Sequence, residues 1–273
     1  MRLLWSEPHF RGISVTTLLD SSIYAAAIAD PRFAAAVAIS ALSGLVRGFS
    51  GFGSAMIYMP LMAAVYEPRI AAVTLLLVDF VASSPFTVRE LPRCTWREVL
   101  PIFIAAVIAI PFGTWALELV EPLVLRWFIA LLVMTLLAVV VSGWRYHGQP
   151  RLPVTIAVGL FSGFGGGAVQ IAGPAVVIYW LGTKNDAVTV RANLMVYFLL
   201  IGAALCISYL LQGLFTTETV ALSILLEIPF VAALAAGVYV FRGASDLLYR
   251  RIAYLIIAIA ALVSLPLFDG LLR

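Results

Sequence analysis

A glycine-rich stretch interrupts the apolar second half of the chain: Gly159-Leu-Phe-Ser-Gly163-Phe-Gly165-Gly166-Gly167-Ala-Val-Gln170-Ile-Ala-Gly-Pro174. Glycine lacks a Cβ and adopts backbone conformations that helices exclude, so a helix can break here and a ligand can approach the main chain. The apolar runs on either side are each too short to cross a bilayer, which takes about 20 helical residues. We therefore expect a broken helix at membrane depth.

The same pattern occurs once before. The run Phe49-Ser-Gly51-Phe-Gly53-Ser54-Ala55, followed by Pro60, repeats Phe161-Ser-Gly163-Phe-Gly165-Gly166-Gly167, followed by Pro174. Two later pairs, Phe80 with Phe198 and Pro111 with Pro229, are each 118 residues apart. The sequence thus predicts a duplication inside a single transmembrane domain, 1–273, with a first repeat at 34–143, a polar linker at 144–151 and a second repeat at 152–271.

Composition places the chain in a membrane. Of its 273 residues, 63% are hydrophobic and 11% charged, whereas soluble domains carry about 25% charged residues. The mean hydropathy is +1.07. The net charge of +3 comes from arginines in predicted loops, which indicates membrane topology rather than nucleic-acid binding. Cys94 and Cys206 lack metal or redox spacing, and no cofactor is implied.

Each repeat is predicted to contain a broken or re-entrant helix pair followed by three transmembrane helices. In the first repeat we place broken pieces at about 34–47 and 52–66, then spans at about 69–88, 98–118 and 122–143. In the second we place pieces at about 152–164 and 167–182, then spans at about 187–211, 219–241 and 250–271. Residues 13–29 fit either an interfacial helix or a weak first span. The predicted structural breaks include Pro60, Pro174, Pro111 and Pro229.

Loop arginines predict the orientation, because cytoplasmic loops carry an excess of positive charge. The loop at 89–97, the linker and the segment around 242–251 contain arginines, so they are expected inside; the loops at 119–121 and 212–218 contain neither Lys nor Arg and are expected outside. Equivalent loops then face opposite sides in the two halves. Interrupted segments in inverted halves are typical of the substrate site of a secondary transporter.

The glycine breaks favour an anionic substrate. Helices that begin near Gly53 and Gly167 would present free N–H groups and the positive end of the helix dipole. The alternative is close helix packing, because Gly159, Gly163 and Gly167 also form a ridge of small residues.

Four ionisable residues are predicted at membrane depth, where charges usually pair or face a cavity. We expect Arg191, and Arg47 as a weaker candidate, to contribute to anion binding, because arginine suits oxyanions. Snorkelling to the interface remains the alternative for Arg191, and a structural ion pair the alternative for Arg47. Asp79 and Glu227 are ion-pair candidates that could instead exchange a proton. The further hydrogen-bonding candidates are Ser54, Gln170 and Asn193.

Other functions receive weak support. Gly48-Phe-Ser50-Gly51 matches a Gly-x-Ser-Gly pattern of intramembrane serine proteases, but both histidines, His9 and His147, lie in polar segments outside the predicted spans. The Gly165–Gly167 run lacks the strand and acidic residue of a nucleotide loop. We expect a protein that is not an enzyme. A passive anion channel is the alternative to a carrier.

The duplicated glycine breaks, the following prolines and the doubled Ile-Pro-Phe resemble the TauE/SafE sulfite exporter family over residues 34–271. The resemblance implies a multi-pass carrier of the bacterial inner membrane that exports sulfite, sulfonates or related anions of the thiosulfate class. By motif position, it implies that the central site is formed by Gly51, Gly53, Gly163, Gly165, Gly166, Pro60 and Pro174. The two halves differ where Ser54-Ala55 stands against Gly166-Gly167.

Overall fold

A computed structural model describes residues 18–50, 53–142, 151–183, 185–240 and 246–268, and every regular element within these ranges is helical. The first half contains α1 (Ser21–Ala29), α2 (Phe33–Ser50), α3 (Ser54–Val65), α4 (Pro68–Thr87), α5 (Trp96–Leu119) and α6 (Pro122–Val141). The second half contains α7 (Leu152–Val169), α8 (Gly173–Leu181), α9 (Ala187–Leu211), α10 (Thr217–Val240) and α11 (Asp246–Val263). Short 3-10 segments occupy Val88–Arg93 and Pro266–Phe268.

Within the described residues, six helices are long and apolar enough to cross a bilayer. These are Pro68–Pro85, Trp96–Leu119, Pro122–Val139, Leu152–Val169, Val188–Leu211 and Thr217–Tyr239. The pair α1 and α2, bent by 91°, passes the same test as one broken span. The all-helical polytopic fold is thereby confirmed, whereas the inverted orientation of the two repeats stays a prediction.

The first predicted break is confirmed. The helix α3 begins at Ser54. Gly53, directly before it, has a left-handed backbone with φ 97°, a conformation that residues other than glycine rarely adopt. The helix is only 12 residues long, so it does not cross a bilayer by itself.

The second break lies later than predicted. We expected a piece at 152–164 and a new helix from about Gly167, but α7 runs through the glycines to Val169 and α8 begins at Gly173. The helix ends at Gln170, whose backbone is left-handed with a φ of 57°. The Ile171 N–H then donates a hydrogen bond to the Gly165 carbonyl at 3.0 Å. At 18 residues, α7 is also long enough to count among the candidate spans. The prediction of a short piece was wrong.

The glycines remain helical because α7 lies directly on the backbone of α5. A Cβ on Gly163 would overlap the Ala106 carbonyl oxygen, and one on Gly167 would overlap the Ile110 carbonyl oxygen. This contact is the close helix packing that the ridge of small residues suggested.

The other half makes a corresponding contact, in which α2 packs on α10. A Cβ on Gly44 would overlap the carbonyl of Phe230, and one on Gly48 would overlap that of Leu234. The Ser40 hydroxyl adds a buried hydrogen bond to the Leu226 carbonyl at 2.9 Å. Each half therefore packs one helix closely on the other half, with α2 on α10 and α7 on α5. The duplication itself stays a prediction.

Three of the four prolines do not break their helices. Pro60 lies inside α3, Pro111 inside α5 and Pro229 inside α10, so their prediction as structural breaks was wrong. Pro174 does mark a boundary, because it occupies the first turn of α8, where the missing N–H of proline is tolerated.

The chain ends differ in part from expectation. The predicted span at 250–271 is replaced by α11, which ends at Val263 and carries Asp246, Arg250 and Arg251, so it is not among the six candidate spans. Most of the linker at 144–151 and residues 13–17 lie outside the described residues. The nine-residue α1 does not decide between the two interpretations of residues 13–29.

We expect Gly163→Ala to destabilise the protein, because the added methyl group meets the backbone of α5 and overpacking costs about 1–3 kcal/mol. Gly166→Ala is the matched control in the same helix. Its methyl group would meet side chains and no backbone, with the Ala172 Cβ nearest at 3.2 Å and Leu205 and Ile201 at ordinary contact distance, and alanine gains about 1 kcal/mol of helix propensity. Thermal unfolding in detergent should show a lower Tm for Gly163→Ala alone; equal Tm values would contradict the packing account.

Candidate functional site

A cavity of about 770 Å³ lies where the broken helices meet. It extends from the two breaks to Thr87, Asn185 and Arg191, at the end of the bundle that loop charge predicts to be cytoplasmic. A volume of this size is within the usual range for small-molecule sites, about 300–1,000 Å³. The cavity is lined by parts of α2, α3, α4, α8, α9 and α10, so both halves contribute to it.

Two helices begin at the cavity wall. Gly53, Ser54 and Ala55 of the first break line it, as do Gly173 and Pro174 of the second. Neither α3 nor α8 has a side-chain cap on its N-terminus. The first N–H groups of a helix lack intrahelical acceptors and carry partial positive charge, so the two starts provide hydrogen-bond donors suited to an anion.

An ion pair lies beside the first of these helix starts. The Arg47 Nε is 3.0 Å from Asp79 Oδ1, and the two side chains are 10% and 26% exposed. Arg47 Nη2 also donates to the Ser83 hydroxyl at 3.1 Å, and the Ser54 hydroxyl donates to Asp79 Oδ1 at 3.3 Å. The structure thus confirms that Arg47 forms the ion pair considered for it and identifies Asp79 as the partner. Both residues also line the cavity.

Two phenylalanines that the predicted repeat pairs, Phe80 and Phe198, line the cavity as well. The Phe198 ring lies beneath the Arg47 guanidinium, 5.6 Å from Cζ to the ring centroid, a separation at which a cation and an aromatic face attract each other. A Cβ on Gly202 would lie 2.7 Å from Phe80, and one on Gly173 would lie 3.3 Å from Phe198. Glycines therefore give both rings their space.

Arg191 occupies the other end of the cavity. It is exposed and also lines a smaller pocket of about 340 Å³ with Glu90, Arg93 and Val188. Arg191 therefore borders both the central cavity and this smaller pocket.

Gln170 lines the cavity at the second break. Its amide donates to the Tyr209 hydroxyl at 3.1 Å, and that hydroxyl donates to the Gly167 carbonyl at 2.9 Å. A non-glycine residue in the left-handed region is uncommon, and these two bonds hold the last turn of α7 in place. Gln170 has a structural part in the break and also contributes to the cavity wall.

Asn193 does not line the cavity. It is fully buried, and its Oδ1 accepts a hydrogen bond from the Thr95 N–H at 2.8 Å while its Nδ2 donates to Glu98 at 3.1 Å. Asn185 donates to the same Glu98 carboxylate at 2.7 Å. These bonds join α9 to the start of α5, so the structure gives Asn193 a structural place instead of the predicted one at the site.

Several other candidates lie away from the cavity wall. Gly163, Gly165, Gly166 and Gly167 are buried inside α7, and Glu227 of α10 is not among the lining residues. Gly51, like His9 and His147, lies outside the described residues. The helix start predicted near Gly167 is instead at Gly173, because packing on α5 keeps the glycines helical.

The sequence interpretation missed Ser83, Thr87 and Trp180, which all line the cavity. Asp79, Ser83 and Thr87 recur at a spacing of four residues on α4, so they form a polar stripe on one helix face, and this periodicity could have identified them. Trp180 carries no such signal. It is fully buried, and its indole N–H has no hydrogen-bond partner among the described residues.

The described residues contain no group of three His, Cys, Asp or Glu side chains arranged to hold a metal ion. The lining residues carry guanidinium, carboxylate, hydroxyl and amide groups, together with aromatic and aliphatic side chains.

Apolar helices surrounding a cavity at paired helix breaks define this chain as a polytopic membrane protein. The model of the family described as Sulfite exporter TauE/SafE matches residues 36–264. The chain therefore belongs to the TauE/SafE sulfite exporter family, and the resemblance drawn from the glycine motifs is confirmed. No curated protein and no solved structure matches the chain.

We expect Asn193→Leu to lower the stability of the protein without weakening anion binding. The substitution leaves the half-buried Thr95 N–H without its acceptor, and an unsatisfied group costs up to about 1–3 kcal/mol when it is fully buried. Thermal unfolding and sulfite titration of the folded protein measure the two effects, with Ile207→Leu on the exposed face of α9 as the control. An unchanged Tm with weaker sulfite binding would contradict the structural role and indicate that Asn193 contributes to anion binding.

Proposed function

We propose that the protein is a secondary transporter that exports sulfite, sulfonates or related small anions across the bacterial inner membrane by alternating access. The family membership supports a sulfite or anion exporter. The observation that carries the proposal for this chain is the meeting of two uncapped helix N-termini with Arg47 in one cavity.

The anion binds between the starts of α3 and α8. Backbone N–H groups from both starts donate to its oxygens, and the planar guanidinium of Arg47 supplies the compensating charge. Because α3 comes from the first half and α8 from the second, a rocking movement of one half against the other alters access to the site without dismantling either helix start.

Arg191 attracts the anion to the cavity entrance. It is exposed, so its field is screened by water and salt over about 8–10 Å. It therefore serves capture more than tight binding. The conformation described here has its cavity extending to the side predicted to be cytoplasmic, which is the arrangement in which an exporter loads its substrate.

Purified protein in proteoliposomes should show saturable flux of radiolabelled sulfite and exchange of labelled for unlabelled sulfite. Arg47→Gln should weaken the apparent affinity about 10- to 100-fold, since a hydrogen bond to a charged group contributes about 1.5–3 kcal/mol. Arg191→Ala should have a smaller effect that decreases with added salt.

Arg97→Ala is the matched control, because Arg97 is exposed at the start of α5 and does not line the cavity. Its kinetics should equal those of the unaltered protein. Flux that rises linearly with sulfite and shows no exchange would indicate a passive channel. Folded protein without flux of sulfite, thiosulfate or any tested sulfonate would contradict the proposed substrate class.

A further inference from the structure

The carboxylate of Asp79 occupies the position at Arg47 that a transported anion needs. It is held at 3.0 Å from Arg47 Nε, near the middle of α4, and it lines the cavity. Arg47 and Asp79 together carry no net charge. Because an uncompensated charge inside a bilayer is costly, this pair keeps the empty site neutral.

Substrate binding changes this balance. An anion that binds the Arg47 guanidinium displaces the Asp79 carboxylate from it. Two negative groups, the anion and Asp79, then lie beside one positive group inside the membrane. A carboxylate without a cationic partner in an apolar site is strongly disfavoured. Uptake of one proton by Asp79 restores neutrality, because the site then contains Arg47⁺, a neutral Asp79 and the bound anion.

The surroundings of Asp79 support this exchange. The hydroxyl of Ser54, on α3, is 3.3 Å from Asp79 Oδ1, and it can serve either a charged or a neutral carboxyl group because a hydroxyl both donates and accepts. Glu227, on α10, is the neighbouring carboxyl group, and a negative charge on it would oppose a second one on Asp79. Arg191, on α9, lines the same cavity at its other end.

We propose that Asp79 is a proton carrier. It releases Arg47 when the transported anion binds and takes up a proton itself, so that the protein binds one proton with each anion. The proposal rests on the proposed function and adds the coupling ion. In the proton transfer, an O–H bond forms on Asp79 with a proton from the cavity water as the anion forms its hydrogen bonds with Arg47; both steps reverse on release. No redox chemistry is involved.

The test is calorimetric titration of sulfite into the purified protein at one pH in two buffers with different enthalpies of ionisation. The difference between the two apparent enthalpies gives the number of protons taken up. Sulfite itself titrates near neutral pH, so the titration is repeated with methanesulfonate, a sulfonate whose single charge does not change with pH, and the comparison between variants then isolates the protein. We expect the unaltered protein to take up about one proton more per sulfite than Asp79→Asn, since one carboxyl group is removed.

Asp79→Asn resembles the protonated carboxyl group, so it should bind sulfite at least as tightly as the unaltered protein. Asp79→Glu keeps a titratable group and should keep the proton uptake, which guards against a variant that merely misfolds. Glu121→Gln is the matched control, because Glu121 is exposed between α5 and α6, and its proton uptake should equal that of the unaltered protein.

The outcomes separate this inference from the proposed function. Equal proton uptake by Asp79→Asn and the unaltered protein, with sulfite bound by both, would overturn the role of Asp79 and leave the transporter intact. Loss of sulfite binding in folded Asp79→Asn would also overturn it, because the neutral side chain should favour the anion. Absence of sulfite binding by the unaltered protein would contradict the proposed function itself.

Discussion

A bilayer offers no water to the backbone groups that a broken helix exposes, so every break must be completed by the protein or face a cavity. The second break shows how this chain meets that constraint, because the Ile171 N–H donates to the Gly165 carbonyl and the Ser162 hydroxyl donates to the Ala172 carbonyl at 2.6 Å. The starts of α3 and α8, whose first N–H groups lack intrahelical acceptors, line the cavity. The cavity therefore borders backbone groups that the two helices do not satisfy themselves.

The same constraint governs charge. Donors at two helix starts and an arginine would make the cavity strongly positive, and Asp79 offsets Arg47 directly. In the proposed mechanism, an anion enters a neutral site by displacing a carboxylate, which differs from a permanently positive pore. Anion binding and proton binding would then be linked, because each alters the charge that the other meets. Arg191 is exposed, so its charge does not carry the cost of burial.

The sequence predicted the membrane class, the family and the first break at Gly53, and it singled out Arg47 and Asp79, which form an ion pair on the cavity wall. Glycine patterns and charges inside apolar runs have few explanations. It failed at the second break. Glycine at positions such as Gly163 and Gly167 is typical of a helix break, yet both residues are helical because α7 packs on the backbone of α5. Such a contact between distant segments leaves no signal in the local sequence. Asn193 was misplaced for a related reason, since its partners Thr95 and Glu98 lie on another helix. The polar stripe of Asp79, Ser83 and Thr87 could have been predicted from its four-residue spacing, but it was overlooked.

The central claim is that an oxyanion binds between the starts of α3 and α8 and replaces Asp79 as the partner of Arg47. Crystal structures grown with and without sulfite test it directly. The account predicts density for the anion within hydrogen-bonding distance of the Ser54 and Gly173 backbone N–H groups and of Arg47, together with a longer separation between Arg47 and Asp79 than in the empty protein. Sulfite bound only beside Arg191, with the Arg47–Asp79 pair still intact, would contradict it.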